Sequence, residues 1–184
     1  GGAYSPGSTK PDAVESYDGT SWTAASANLS VAKRGMGGAG TSTAGLTFGG
    51  YTPSPTKLVT TEKWNGSAWT EVGDMSTARS DMFGLGIQTA ALAAGGGTGP
   101  TVLTATESFD GTSWAAGGAI NTAREKGGSS GLYNNGIIFG GTTVPGAAQD
   151  STEYYDGTTW TEVAALGTAR LDGGGSPAGT SSLA

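Results

Sequence analysis

Cysteine and histidine are both absent from the 184 residues. Without cysteine there is no disulfide framework and no thiolate metal site, and the redox compartment cannot be read from thiol usage. Without histidine the Ser-His-Asp triad and the imidazole metal site are also excluded. Positive charge is scarce: nine Lys and Arg against 15 Asp and Glu give a net charge of -6 and a pI near 4.4. That balance opposes the basic footprint of a nucleic-acid binder. The acidic residues are scattered singly, as on a solvated face, and form no acidic tail. No apolar run reaches the roughly 18 residues of a membrane-spanning helix, so no membrane insertion is expected. A signal-peptide pattern is lacking, and Gly1 in place of Met reads as a processed or excised product. Aliphatic residues are few as well: Leu, Val, Ile and Phe together number 25, whereas Gly alone numbers 35. Such poverty points toward disorder, but a Trp recurring at a fixed place argues for a packed backbone in which Gly and Ala let strands approach closely.

What is present is a repeat. "ESYDGTSWT" from Glu15 returns as "EKWNGSAWT" from Glu62, "ESFDGTSWA" from Glu107 and "EYYDGTTWT" from Glu153. The intervals are 47, 45 and 46 residues, and self-similarity at such a period marks a repeat architecture. Residues 1–184 are therefore expected to form a single domain of four repeats of about 46 residues, with a circularly permuted start.

Each repeat contains four strand signals. From Arg79, "RSDMFGLGIQ" reads as strand A, and "AALAAGGG" as strand B ending at a Gly pair that permits a sharp exit. Pro-containing loops of differing sequence follow: "AYSPGSTKPD", "YTPSPTK", "GTGPTVL" and "TTVPGAAQD". Strand C then runs into Asp-Gly or Asn-Gly, the strongest short-range hairpin signal. Strand D carries Trp22, Trp69, Trp114 or Trp160. A two-residue turn pairs Tyr17 with Thr20 and Glu15 with Trp22, leaving Glu15, Tyr17 and Trp22 on one face.

Four strands in about 46 residues is the arithmetic of a propeller blade. An Arg opening strand A, a Gly pair closing B, an aromatic late in C and a Trp in D resemble kelch repeats. "TEVGDMSTAR" (70–79), "AGLTFGG" (44–50) and "ESFDGTSW" (107–114) are more closely similar to the kelch-like arrays of marine bacteriophage structural and tail proteins. The resemblance implies an all-β propeller of four blades, each of four antiparallel strands. Its ring closes where "SSLA" at the C-terminus and "GGAYSP" at the N-terminus complete one shared blade. The rival arrangements are a segment of a larger ring, or two chains forming eight blades. The resemblance also implies a virion or extracellular location and partners that are a host-surface glycan or protein, or other virion proteins.

Residues able to carry catalytic chemistry are few. Ser–Lys chemistry needs the two side chains held together, but Lys is limited to Lys10, Lys33, Lys57, Lys63 and Lys126 and no helix is expected to position them. Asp18, Asn65, Asp110 and Asp156 are turn formers, and one carboxylate per hairpin falls short of a calcium site. "SYDGTSW" resembles the Asp-box of sialidases but lacks its additional residue between Asp and Gly. "GLGIQTAALAAGGG" lacks the Gly-Lys-Ser/Thr of a phosphate loop. The expectation is a non-enzymatic protein with no cofactor, a glycosidase-like enzyme being the distant alternative.

Glu15, Glu62, Glu107 and Glu153 open strand C, and Arg34, Arg79, Arg124 and Arg170 open strand A toward the same face. They are expected to form structural Arg–Glu pairs; the functional alternative is a ring of guanidinium groups suited to an anion or a sugar acid. The B-to-C loops share that face and vary most, which makes it the expected binding surface. The candidate residues there are Tyr4, Lys10, Tyr51, Lys57 and Gln149, with Arg34, Arg79, Arg124 and Arg170 at the mouth. A recognition module on this face and a purely structural assembly propeller, with an oligomer allowed, are the two functional expectations.

Overall fold

A computed structural model describes residues 12–54, 56–144 and 146–175. The strands in chain order are β1 (Glu15–Tyr17), β2 (Trp22–Ala24), β3 (Gly37–Gly40), β4 (Gly45–Phe48), β5 (Thr61–Trp64), β6 (Trp69–Val72) and β7 (Phe83–Ile87). They continue with β8 (Ala90–Ala94), β9 (Thr106–Phe109), β10 (Trp114–Gly117), β11 (Gly128–Leu132), β12 (Asn135–Phe139), β13 (Thr152–Tyr155) and β14 (Trp160–Val163). No helix occurs among the described residues. Three four-stranded sheets follow chain order, β3-β4-β5-β6, β7-β8-β9-β10 and β11-β12-β13-β14, each antiparallel throughout. The β1-β2 hairpin stands as a two-stranded sheet before them. The fold is all-β and propeller-like.

Glycine explains the spacing of the inner strands. A Cβ on Gly84 of β7 would lie 2.6 Å from the Gly38 oxygen and 2.7 Å from its nitrogen on β3. Only a residue without a side chain allows that backbone approach. On the other side of β7, the Ser129 hydroxyl of β11 donates to the Gly84 carbonyl at 2.9 Å. Successive sheets thus share an inner edge, and the core lies between them. One cluster, including Phe48, Met75, Met82 and Phe109, fills the first gap. Another, including Phe83, Leu85, Ile138, Tyr155 and Trp160, fills the second.

The outer hairpins differ from the two-residue turn that Asp-Gly predicts. Tyr17 pairs with Trp22 and Glu15 with Ala24, so Asp18 to Ser21 form a four-residue loop. Asp18 Oδ1 accepts the backbone N–H groups of Thr20 and Ser21, both at 2.8 Å, which stabilises the longer loop. The same geometry recurs at Asn65, Asp110 and Asp156. The register moves by two residues, an even number, so Glu15, Tyr17 and Trp22 still share a face. Each aromatic pair sits directly across the ladder, with ring centroids 4.8 to 5.3 Å apart.

The recurring Trp also joins one sheet to the next. Trp114 donates its indole N–H to the Thr61 hydroxyl at 2.9 Å, and Trp160 donates to Thr106 at 3.2 Å. Val14 holds the sequence position of Thr61 and Thr106 and lines a cleft with Trp69; it offers no acceptor, and the buried Trp69 indole nitrogen has no partner among the described residues. Thr152, the next hydroxyl in the series, is buried and equally unpartnered there, while Trp22 is 67% exposed.

Candidate functional site

The repeated glutamates explain themselves first. Glu62, Glu107 and Glu153 are buried, and each carboxylate pairs through Oε1 with a fully buried cation of its own sheet at 2.9 Å: Lys33, Arg79 and Arg124 respectively. Each Oε2 accepts a backbone N–H three residues before that cation, from Ser30, Ser76 and Asn121 at 2.7 to 2.9 Å. One carboxylate therefore fixes both the cation and the loop that leads into the inner strand. Arg79 also donates to the Ala105 carbonyl, and Arg124 to the Ser151 carbonyl. Burial pulls the guanidinium pKa of both down, and the adjacent Glu107 and Glu153 oppose that shift.

This arrangement corrects two sequence expectations. Arg79 and Arg124 point into the protein and are unavailable as a guanidinium ring at the mouth. Arg34 is not their counterpart: Lys33 takes the buried role, and Arg34, one residue later, turns outward. The fourth pair, Arg170 with Glu15, is not formed, and both residues are exposed. Arg170 instead bridges Gln149 through the backbone. Gln149 is half-buried and spends its side-chain amide on the Ala147 and Ala148 carbonyls. Tyr4 and Lys10 lie outside the described residues, as do the terminal segments expected to complete the shared blade.

The released Arg34 forms the most distinctive cluster of the variable-loop face. Tyr51 follows the Gly pair at 49–50 and bridges Arg34 on one side and Lys57 on the other. Residues opposite each other in antiparallel bridges carry their side chains on the same face. The Tyr51 ring is consequently flanked by two cations: Arg34 Cζ lies 4.8 Å and Lys57 Nζ 4.4 Å from its centroid. Lys57 Nζ also donates to the Ser80 hydroxyl, which donates to Asp81 Oδ2 at 2.7 Å. The Arg34 guanidinium makes no hydrogen bond and no ion pair among the described residues, and its Nε is buried. In the next two wedges the bridged trio is Ser80, Gly97 and Val102, then Glu125, Thr142 and Ala148. Of the three bridged trios among the described residues, only this one carries two cations.

Asp81 belongs to a second feature that the sequence did not disclose. Gly35, Asp81, Lys126 and Asp172 all have left-handed backbone, with φ between 56° and 62°. Asp81 N–H donates to the Gly35 carbonyl at 2.7 Å, Lys126 to Asp81 at 2.8 Å, and Asp172 to Lys126 at 2.6 Å. Each wedge therefore hands its inner end to the next through one backbone bond. Three non-glycine residues at positive φ cost strain that only a strongly determined surrounding maintains.

A cleft of about 300 Å³ lies between the β1-β2 hairpin and the first full sheet, lined in part by Tyr17, Trp22, Trp64 and Trp69. In the following wedge the equivalent side of Trp114 is covered by Phe48, edge-on at 4.9 Å. The cleft therefore matches a position where the repeat places a strand B residue. Among the described residues no three His, Cys, Asp or Glu side chains converge as a metal site. No protein-family model matches the chain, and no curated protein matches it.

Proposed function

We propose that this chain is a non-catalytic recognition module on a closed, kelch-like propeller of four blades, binding a glycan or protein through its variable-loop face. Support comes from one departure from the repeat. Three wedges share the same buried cation–glutamate clamp, yet only one puts Arg34, Tyr51 and Lys57 together at the surface. A rigid scaffold with one differing surface patch is the usual layout of a binding site. Nothing in the buried clamps offers a free nucleophile or base, because each carboxylate oxygen is engaged with a cation or a backbone N–H.

Closure of the ring is supported by unpaired halves at the two ends. Exposed Glu15 matches the clamp glutamates and exposed Arg170 the clamp cations, while Trp22 and Thr152 match the Trp–Thr link between sheets. A closed ring brings both pairs together and removes two open sheet edges. The kelch-like resemblance supports a place on a virion or outside the cell.

The test is binding to a broad glycan array, with Tyr51→Ala as the site variant and Gly174→Ala as the folded control. A specific signal lost on Tyr51→Ala supports recognition on this face. A blank array together with a stable oligomer in sedimentation favours the second reading, assembly. The exposed Tyr17–Trp22 pair, an apolar surface with no partner sheet among the described residues, favours that reading.

A further inference from the structure

The recognition reading leaves the ligand's chemistry open, and the Tyr51 cluster narrows it. A tyrosine used for sugar stacking must present a free ring face. Here the cross-strand neighbours occupy both sides of the ring, with Arg34 and Lys57 each within 5 Å of its centroid. The ring acts as a spacer between two cations, which favours charge over stacking as the basis of recognition.

Neither cation makes a direct ion pair: no carboxylate of the described residues pairs with Arg34 or Lys57. Asp81, the carboxylate closest in the network, accepts from Ser80 and lies against Gly35. The two positive charges lie within about 9 Å of each other, close enough for one anionic chain to reach both. With Nε buried, the two Nη groups of Arg34 are the donors left to a ligand, and such a pair can hold a carboxylate or sulfate through two parallel hydrogen bonds. The net charge of -6 does not forbid this, because charges beyond roughly 8–10 Å are screened at physiological salt. Around the cluster the Tyr51 loop carries hydroxyl groups, Thr52, Ser54 and Thr56. Hydroxyls complement a saccharide better than the apolar side chains of a peptide.

We propose that Arg34 and Lys57, held apart by Tyr51, form an anion site that takes an acidic polysaccharide through its carboxylate or sulfate groups. This rests on the recognition reading and gives its ligand class. The two cations on opposite sides of one ring suit successive anionic groups along a chain, so a polymer binds better than a single acidic sugar.

The test is calorimetric titration of the whole chain with four probes: polygalacturonate, its methyl ester, heparin and dextran. Polygalacturonate or heparin is expected to bind saturably, with affinity falling as salt rises, and the methyl ester and dextran are expected not to bind. The two acidic probes separate carboxylate from sulfate. Lys57→Gln and Arg34→Gln, both at half-buried positions, are each expected to weaken binding at least tenfold, whereas Tyr51→Phe retains it and Tyr51→Leu does not. Equal binding of the methyl ester or dextran, lost on Tyr51→Leu, would overturn the anion site and leave recognition on this face intact. Binding of no probe, acidic or neutral, with all variants folded, would overturn both. Acidic binding that survives Lys57→Gln and Arg34→Gln together would place the anion elsewhere and sink the proposal.

Discussion

Removing Arg124 is the sharpest probe of how the wedges are held. Its guanidinium is fully buried, donating to Glu153 at 2.9 Å and to the Ser151 carbonyl at 2.8 Å. Arg124→Met keeps much of the aliphatic volume but leaves the Glu153 carboxylate buried with only Asn121 as partner, through its backbone and side-chain N–H groups at 2.7 and 2.8 Å. Breaking a buried pair from one side costs about 3–5 kcal/mol, chiefly because the remaining charge is stranded. For a domain of this size that is a fall of roughly 6–20 °C in Tm. Adding Glu153→Gln to Arg124→Met removes the stranded charge yet retains an acceptor for Asn121. The double variant is therefore expected to recover about 1–3 kcal/mol relative to Arg124→Met alone. Urea unfolding followed by Trp fluorescence gives all four corners of the cycle. A loss below about 1 kcal/mol for Arg124→Met, or a double variant less stable than the single, would refute the clamp as the element that fixes each wedge.

Other outcomes follow from the same geometry. Val14→Thr supplies the missing acceptor for the buried Trp69 indole and is expected to stabilise by about 0.5–1.5 kcal/mol, whereas Trp160→Phe loses a bond of that size; unfolding midpoints that move the other way would contradict the Trp–Thr link. Gly84→Ala drives a methyl into the Gly38 backbone and is expected to cost about 1–3 kcal/mol, against nearly nothing for Gly174→Ala; equal effects would remove the close inner approach. Backbone N–H bonds from Ser113 and then Thr112 hold the Asp110 carboxyl below the ordinary aspartate value. A lowered folded-state value means its contribution is complete above pH of about 4 and is lost as pH falls through the folded value. The stability gap between wild type and Asp110→Asn should therefore close in acid, and a gap independent of pH would contradict the carboxylate's role.

The sequence carried the periodic features and lost the ones that depend on a single residue. The four-strand unit, the Gly pairs and the cation–glutamate pairing were legible because they recur at nearly constant spacing. Lys33 was missed since Arg34 offered the residue type seen in the other copies. Aligning instead on the glutamate clamp, or treating Lys and Arg as equivalent, puts Lys33 eleven residues after Trp22 and closer to the spacing of ten elsewhere. Asp-Gly alone signals a two-residue turn; the longer loop depends on the two residues after Gly, whose N–H groups reach back to the Asp carboxylate. The flanking of Tyr51 could not be read at all. Arg34 and Tyr51 are 17 positions apart, and only the bridge across two loop edges makes them neighbours. The left-handed run at Asp81, Lys126 and Asp172 had no local signal either, since none of the three is a glycine.

The most direct test of the central claim is backbone amide chemical-shift mapping with an oligogalacturonate. Saturable shifts are expected to concentrate at Arg34, Tyr51, Lys57 and Ser80 while the Asp-Gly loops on the opposite face stay unchanged. Shifts confined to those loops, or none at saturating probe, would contradict it.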